Sequence, residues 1–570
     1  MNSFFYRSRT LIGLVLCLVF TCIAGIIYYR KQTPKAQIAE IITSEPQSTT
    51  TKNRIKNKKS PIIAIEQPLI DPNMTPISVE NGTDLAPYRL GFTSLHAEFK
   101  YKDLSTEGCI PDWLNGSFVA VGPGKFEINE SKARTWLDGF AMVHRFSFKE
   151  GRVSYANKFL ETNYYNDSIA TGAMSTSASA GDPNASYFSK LAAAMSDSSD
   201  RIPYDNTNVN VVCHNHLWMT LTDAAQPTIY DRHTLKTKGL ASFNDDYKPH
   251  VSCAHPFIDQ TTGQWLSVMT TYARSKSSYT IYTMEAKSFK RVPLVTISAS
   301  YPSYMHSFAV TPGYIVLTEI PCVVNPYDLV MSGKPYLENF QWKPKQGAKI
   351  TVINRSNGSI VGTYNTEPFF TLHHINAFEE NGSIIIDLAA HENHAIIKSY
   401  VLHDIHTNPA YTFWQATIKR ITIKPQEKTV SIHSLSSTPI EMPRINDAYK
   451  TRAYTYVYAL SSHDGHSYFN RLVKINLATN TNIVWHADHC HPSEPVFVAA
   501  PHAKHEDDGV LLSIVLDTKA KTSFLLILDA PTMEELGRVP LPHHIPFTVH
   551  GDFFHKPTTL KEQFEEHFKL

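Results

Sequence analysis

The 570-residue sequence has almost no net charge: 53 Lys and Arg stand against 52 Asp and Glu, a formal +1. Without a summed basic field there is little to draw in a phosphate backbone, so nucleic acid is not expected as a partner. Cysteine is sparse and unpatterned. Cys17 and Cys22 lie in an apolar run, while Cys109, Cys213, Cys253, Cys322 and Cys490 are scattered with no CxxC pair. This gives neither a disulfide framework nor a zinc site and reads as buried thiols. From about residue 85 onward there is no long amphipathic helical period, which argues against a helical body. Trp-Asp and kelch signatures are missing too, so any propeller here is a divergent one.

What is present is β-structure. Short runs rich in β-branched and aromatic residues recur between Gly, Pro, Asn and Asp: VNVVCHNHLWMTLTD, QWLSVMTTY, SYTIYTM, YIVLTEIP, SIIIDLAA, YTYVYAL, GVLLSIVLD and SFLLILD. Glu380-Asn381-Gly382 and Asp507-Asp508-Gly509 carry hairpin turn chemistry. Hydrophobic residues make up 42% and charged ones 18%, enough to bury a core. Nearly 490 residues of short antiparallel strands require a large barrel, stacked sandwiches or a propeller, and the spacing of the strands favours an all-β propeller with short helical insertions. One such insertion is expected at YFSKLAAAM, 187–195.

Charge is unevenly spread. Residues 1–60 hold ten Lys and Arg against Glu40 and Glu45, a net +8, which leaves −7 for the rest. Within that segment LIGLVLCLVFTCIAGIIY, 11–28, is uncharged and long enough to cross a hydrocarbon core of about 30 Å at about 1.5 Å per residue. Arg7 and Arg9 on one side and Arg30 and Lys31 on the other bracket it, with Tyr28 and Tyr29 at the interface. We therefore expect a single-pass membrane anchor at 1–31, a polar basic linker at 32–84 and one folded body at 85–570. Flanking charge does not decide orientation. The unpaired thiols favour a cytosolic body, while nine N-x-S/T sequons, Asn115 among them, keep a lumenal one open.

Histidine is abundant, 27 residues. Four sit in apolar, strand-like contexts: His255 in CAHPFID, His306 in SYMHSFAVT, His373 in FTLHHINAF and His550 in FTVHGDFF. They are 51, 67 and 177 residues apart, the last being three intervals of about 59. Such steps place each at a comparable point of successive sheets, facing one axis. Strand alternation adds that if His373 faces inward, Ile375 and Ala377 do too, while His374 and Asn376 face away. His489-Cys490-His491 and His543-His544 lack third and fourth ligands at usual spacing and are not expected to bind metal.

These strings resemble the carotenoid cleavage oxygenase family, in its animal branch of carotene oxygenases and retinoid isomerase. The resemblance runs from about residue 85 to the end and extends to GPGKFEIN and WLDGFAMVHRF (122–146), Pro443-Arg444-Ile445-Asn446, PSEPVFV (492–498) and EDDGVLLSIV (506–515). It implies a seven-bladed propeller with His255, His306, His373 and His550 binding Fe(II). Four neutral imidazoles suit Fe(II) and leave two positions of an octahedron for dioxygen or substrate. The family holds its ligand rings with three glutamates; the matching positions are Glu441, Glu494 and Asp223. Asp223 is one methylene short, which leaves open a displaced strand, a bridging water or a loosely held ring, and makes Asp223→Glu an expected neutral or favourable change. Two other departures are Ala120-Val121, where the family has a polar pair, and Gly181-Asp182-Pro183-Asn184-Ala185, which lacks the cysteine of a membrane-dipping segment.

The resemblance implies an iron(II) dioxygenase that splits one double bond of a carotenoid or apocarotenoid into two carbonyl products, with dioxygen, the polyene and a lipid membrane as partners. The same ligand motifs would serve retinoid isomerohydrolase chemistry on an ester, or a catalytically silent carotenoid-binding propeller.

Overall fold

The computed structural model describes residues 86–174, 205–273, 276–332, 334, 336–463 and 468–555. The anchor, the linker and the segment 181–195 lie outside the described residues. The chain divides into Met1–Pro61 and Ile62–Leu570, and every described residue belongs to the second unit. No helix among the described residues is long and apolar enough to cross a membrane.

The expected runs are strands, and their turns follow from local chemistry. VNVVCHNHLWMTLTD folds as the hairpin Asn210–His214 and Leu217–Leu221, with Asn215 and His216 both at positive φ, 48° and 63°. Asn381 and Gly382, at φ 50° and 75°, join His374–Glu380 to Ser383–Ala390 in the same way. A two-residue loop with both φ positive matches the twist of the strands it connects, and Asn and Gly adopt it at least cost. Asp507-Asp508-Gly509 behaves differently: Gly509 already opens the strand Gly509–Asp517, and residues 500–508 form a longer loop back to Val496–Ala499.

Among the described residues the strands assemble into five antiparallel sheets of four to six strands and one of seven, with two small two-stranded ribbons. The first sheet runs Lys100–Tyr101, Arg152–Phe159, Phe140–Lys149, Gly116–Lys125 and then His550–His555 from the far end of the chain. Glu107–Gly108 in turn joins the last sheet beside Glu535–Pro540. The two ends of the body thus interlock. In the seven-stranded sheet, Thr429–Arg444 changes neighbour part-way. It pairs with Ala416–Lys424 up to Ile440 and with Tyr456–Ser461 from Glu441.

Apolar faces of consecutive sheets pack on each other. Val119, Val121 and Val143 meet Val211, Trp218 and Tyr230 between the first sheet and the second. Leu266, Val268 and Tyr279 meet Ile315, Leu317 and Ile353, and Phe118, Phe146 and Tyr155 close against Leu512, Leu525 and Val539 of the last sheet. Each such fully buried side chain contributes about 1.5–3 kcal/mol. Antiparallel sheets packed in sequence and closed by a shared first and last element form a β-propeller. Among the described residues helices are confined to short insertions such as Asn163–Thr171, opened by Thr162 accepting the Tyr165 N–H and closed by Gly172 at φ 68°. Cys253, Cys322 and Cys490 are buried as expected, Cys213 is half-buried, and Cys109 is exposed. Cys109 follows Glu107–Gly108, a strand of two exposed residues too short to have a buried face.

Candidate metal centre

One position recurs in five sheets: the beginning of the end strand. His255 lies between Val251–Ser252 and Phe257–Ile258, His306 three residues before Ala309–Val310, His373 directly before His374–Glu380, and His550 opens His550–His555. Glu494 has the same place between Cys490–Pro492 and Val496–Ala499, and Glu441 starts the second half of the shared strand. These positions converge. One ligand atom from each of His255, His306, His373 and His550 lies within 4.8 Å of the other three, the one such grouping of potential ligands among the described residues.

Three of the four rings are oriented through Nδ1. His306 Nδ1–H donates to Asp223 Oδ2 at 2.8 Å, His373 Nδ1–H to Glu441 Oε2 at 2.7 Å and His550 Nδ1–H to Glu494 Oε1 at 2.8 Å. This fixes each tautomer and turns Nε2, with its lone pair, toward the group. The short Asp223 reaches its ring without a bridging water. It is also held by the Tyr304 hydroxyl, which donates to Oδ2 at 2.8 Å, and by the Ala254 N–H, which donates to Oδ1 at 3.1 Å. Tyr304 stays a donor because burial, and then the neighbouring Asp223 charge, push its phenol well above the ordinary range.

Electrostatics keep two of the rings, His255 and His373, neutral. Burial, reinforced by the other three imidazoles, holds His255 well below the ordinary histidine range. Burial also lowers His373, although Glu441 opposes it. Glu441 and Glu494 are driven the other way: burial alone would raise them, but His373 and His391 hold Glu441 low, and His550 and Arg444 hold Glu494 low.

The residues fit a metal ion. His373 Nε2 is buried with no hydrogen-bond partner among the described residues, a state that costs free energy unless something coordinates the nitrogen. His255 Nε2 and His306 Nε2 are 3.1 Å apart. Two imidazole nitrogens about 2.1 Å from one ion and at right angles would stand about 3.0 Å apart. The donor set, four imidazoles and no carboxylate, suits a divalent transition metal.

His374 is turned elsewhere. Ser307 Oγ lies 2.7 Å from its Nδ1 and Thr318 Oγ1 3.0 Å from its Nε2. The alternation expected beyond it fails, because Ile375 is skipped in the pairing of His374 with Leu388 and Asn376 with Asp387. This bulge buries Asn376 against the backbone of Tyr449, Thr451 and Arg452. His491 bonds the Phe469 carbonyl, His544 meets Thr93, and His543 stacks on Phe99, so neither of the other histidine pairs assembles ligands.

The glycine motif and its neighbour also act on this site. A Cβ on Gly122 would lie 2.7 Å from Thr548 Cα, so glycine lets Gly116–Lys125 approach the segment that carries His550. Val121 pairs directly with His550 and is fully buried. Sequence reasoning missed His391, whose Nε2–H donates to Glu441 Oε1 at 2.7 Å. No spacing rule could have found it, since it lies outside the four strand-opening positions.

Comparison with known proteins now decides the family. The profile described as retinal pigment epithelial membrane protein matches residues 92–555. The chain belongs to the carotenoid cleavage oxygenase family. It is 29% identical over 514 residues to the mitochondrial carotenoid-cleaving dioxygenase of Homo sapiens, covering 78% of this chain and 87% of that protein. It is 29% identical over 504 residues to the beta,beta-carotene 15,15'-dioxygenase of Gallus gallus, covering 78% and 94%. Among solved structures, a variant of Synechocystis apocarotenoid oxygenase superposes with a TM-score of 0.74 at 26% identity, over 83% of this chain and all of that one. The cobalt-substituted Synechocystis enzyme gives 0.73 at 25%, with the same coverage.

Proposed function

We propose that this member of the family is an Fe(II)-dependent dioxygenase that cleaves one double bond of a carotenoid or apocarotenoid into two carbonyl products. The observation that carries the reading is the convergence of His255, His306, His373 and His550, three of them locked by carboxylates on Nδ1. The activities named for the human and chicken relatives support the substrate class. Ferrous iron, when bound, supplies the redox chemistry by which dioxygen adds across a carbon–carbon double bond. His255, His306, His373 and His550 would hold it. Asp223, Glu441 and Glu494 keep a proton on Nδ1 of their partners and so keep Nε2 free to coordinate. Burial of the three rings held by carboxylates, each under 10% exposed, keeps bulk water from the reacting atoms. Both oxygen atoms end in the two carbonyl groups, so no reductant and no acid or base side chain is required.

We read the seven-stranded sheet as two blades that share Thr429–Arg444, giving seven blades in all. The run at 11–28 would tether the body at a membrane, where a water-insoluble polyene is found.

The test is turnover of β-carotene, an apocarotenal and a retinyl ester under isotopically labelled dioxygen, read by mass spectrometry. Two carbonyl products carrying the label are expected. An isomerised alcohol formed without oxygen consumption would assign retinoid isomerohydrolase chemistry instead, and an iron-loaded protein that turns over none of the three would leave a binding propeller.

A further inference from the structure

Each carboxylate behind the histidine group has one more side-chain neighbour, and the three differ in kind. Asp223 has the Tyr304 phenol, Glu494 has the Arg444 guanidinium 3.8 Å away, and Glu441 has a fifth imidazole, His391. His391 is 4% exposed, and its Nδ1 is buried with no hydrogen-bond partner among the described residues. Its ring therefore gains one hydrogen bond for the cost of burying two polar nitrogens, and that bond is to Glu441.

The backbone fixes where the ring stands. Phe370 and His391 exchange N–H to carbonyl bonds of 2.9 and 2.8 Å, and the Ala389 N–H donates to the His373 carbonyl at 2.9 Å. His373 and His391 thus project from two segments zipped together, and Glu441 arrives from a third strand between them. One carboxylate oxygen, Oε2, takes His373 Nδ1–H at 2.7 Å and the Met442 N–H at 2.8 Å; the other, Oε1, takes His391 Nε2–H at 2.7 Å. A carboxylate gripped at one oxygen can still turn about its Cγ–Cδ bond. Gripped at both, its plane is set, and with it the direction of the His373 ring.

We propose that His391 is a positioning residue of the metal centre: it clasps Glu441 so that His373 Nε2 is held on the position the metal occupies. This rests on reading the four histidines as that centre. Partners outside the ligands are known to change metal affinity by about 10–100-fold.

The experiment is competitive titration of the metal-free full chain with Co(II) against a chromophoric chelator, on wild type, His391→Gln, His391→Asn and His391→Phe, with melting temperatures of the metal-free proteins alongside. Glutamine carries an N–H near the place of Nε2 and is expected to keep the wild-type cobalt affinity. Asparagine is too short and phenylalanine has no donor; each is expected to lose about 10–100-fold, with an altered Co(II) visible spectrum. Gln and Asn are similar in polarity, so a difference between them at equal melting temperature reports the hydrogen bond and not packing. Equal cobalt affinity in all four proteins would overturn the role, as would an equal loss in Gln and Asn. A wild type that binds no cobalt would overturn the metal-centre reading itself.

Discussion

Lengthening Asp223 by one methylene is a sharper test of the site than deleting it. From the sequence alone, Asp223→Glu restores a family pattern and should be neutral or favourable. The structure reverses the expectation. Asp223 Oδ2 already accepts hydrogen bonds of 2.8 Å from both His306 Nδ1–H and the Tyr304 hydroxyl, and Oδ1 accepts the Ala254 N–H at 3.1 Å. Tyr304 cannot retreat freely, being 9% exposed and backed by Phe340 and Phe370 with ring centroids 5.6 and 6.5 Å away. An extra methylene in a packed site costs about 1–3 kcal/mol. If that cost falls on the seating of His306, metal affinity drops by roughly 5- to 150-fold, at about 1.4 kcal/mol per tenfold. Asp223→Asn keeps the size but loses the charge-assisted acceptor, worth about 1.5–3 kcal/mol, and should fall in the same range. Anaerobic Fe(II) or Co(II) competition titration of the three proteins measures this directly. Asp223→Glu binding metal as tightly as wild type, with an unchanged melting temperature, would refute the close fit.

The remaining predictions follow from the same contacts. His306→Ala should abolish metal binding, whereas His374→Ala should bind metal normally and lose about 1–3 kcal/mol of stability, because Thr318 is left without its imidazole partner; metal analysis and chemical denaturation separate the two. Gly122→Ala places a Cβ 2.7 Å from Thr548 Cα and should cost about 1–3 kcal/mol while weakening the hold of His550, seen as a lower melting temperature and looser metal binding together. Burial lowers four histidines that are not ligands, His144, His374 and His543 to about 3 and His491 to about 4. Their unfolded forms take up protons below about pH 6.5 while the native forms do not, so the stability they contribute is complete above that pH and is lost as pH falls toward about 4 for His491 and about 3 for the other three, at up to about 1.4 kcal/mol per unit for each. Denaturant midpoints that stay flat from pH 7 to pH 5 would contradict this.

The strands and the four histidines were legible because each is written in local chemistry: a β-rich run, a turn pair such as Asn381-Gly382, an imidazole at the opening of an end strand. What could not be read depends on how strands meet. Ile375 is an ordinary β-branched residue, and nothing in FTLHHINAF announces that the ladder will skip it; the bulge exists because His374 and Asn376 pair with consecutive residues of Ser383–Ala390. Asp223 is one methylene short, and its sequence context could not choose between a displaced strand, a bridging water and a loosely held ring. Ser252 N–H to Ala224 carbonyl and Ala254 N–H to Asp223 draw the two segments together and remove the need for the missing methylene.

The abundance of histidine has a physical reading that does not require metal at most positions. An imidazole is neutral at pH 7 with little cost, since its ordinary value near 6.5 already favours the uncharged ring, so burial between sheets exacts less from histidine than from a carboxylate or an ammonium. His144 beside the Tyr155 hydroxyl, His214 on the Ser288 carbonyl and His491 on the Phe469 carbonyl use that tolerance. What separates the candidate ligands from these is the partner on Nδ1. His306, His373 and His550 have a carboxylate there, whereas His144 has a hydroxyl and His491 a carbonyl on Nδ1 and His214 meets its carbonyl through Nε2, none of which adds negative charge behind the ring. His391 also meets a carboxylate, but through Nε2, so its ring is turned the opposite way and its free nitrogen stays out of the group. His255 reaches the group with no carboxylate bond among the described residues, its ring set at 64°, 81° and 89° to those of His306, His373 and His550. Three rings are therefore made strong donors by charge and the fourth has no such charge behind it, which makes His255 the ligand whose loss to alanine should weaken metal binding least.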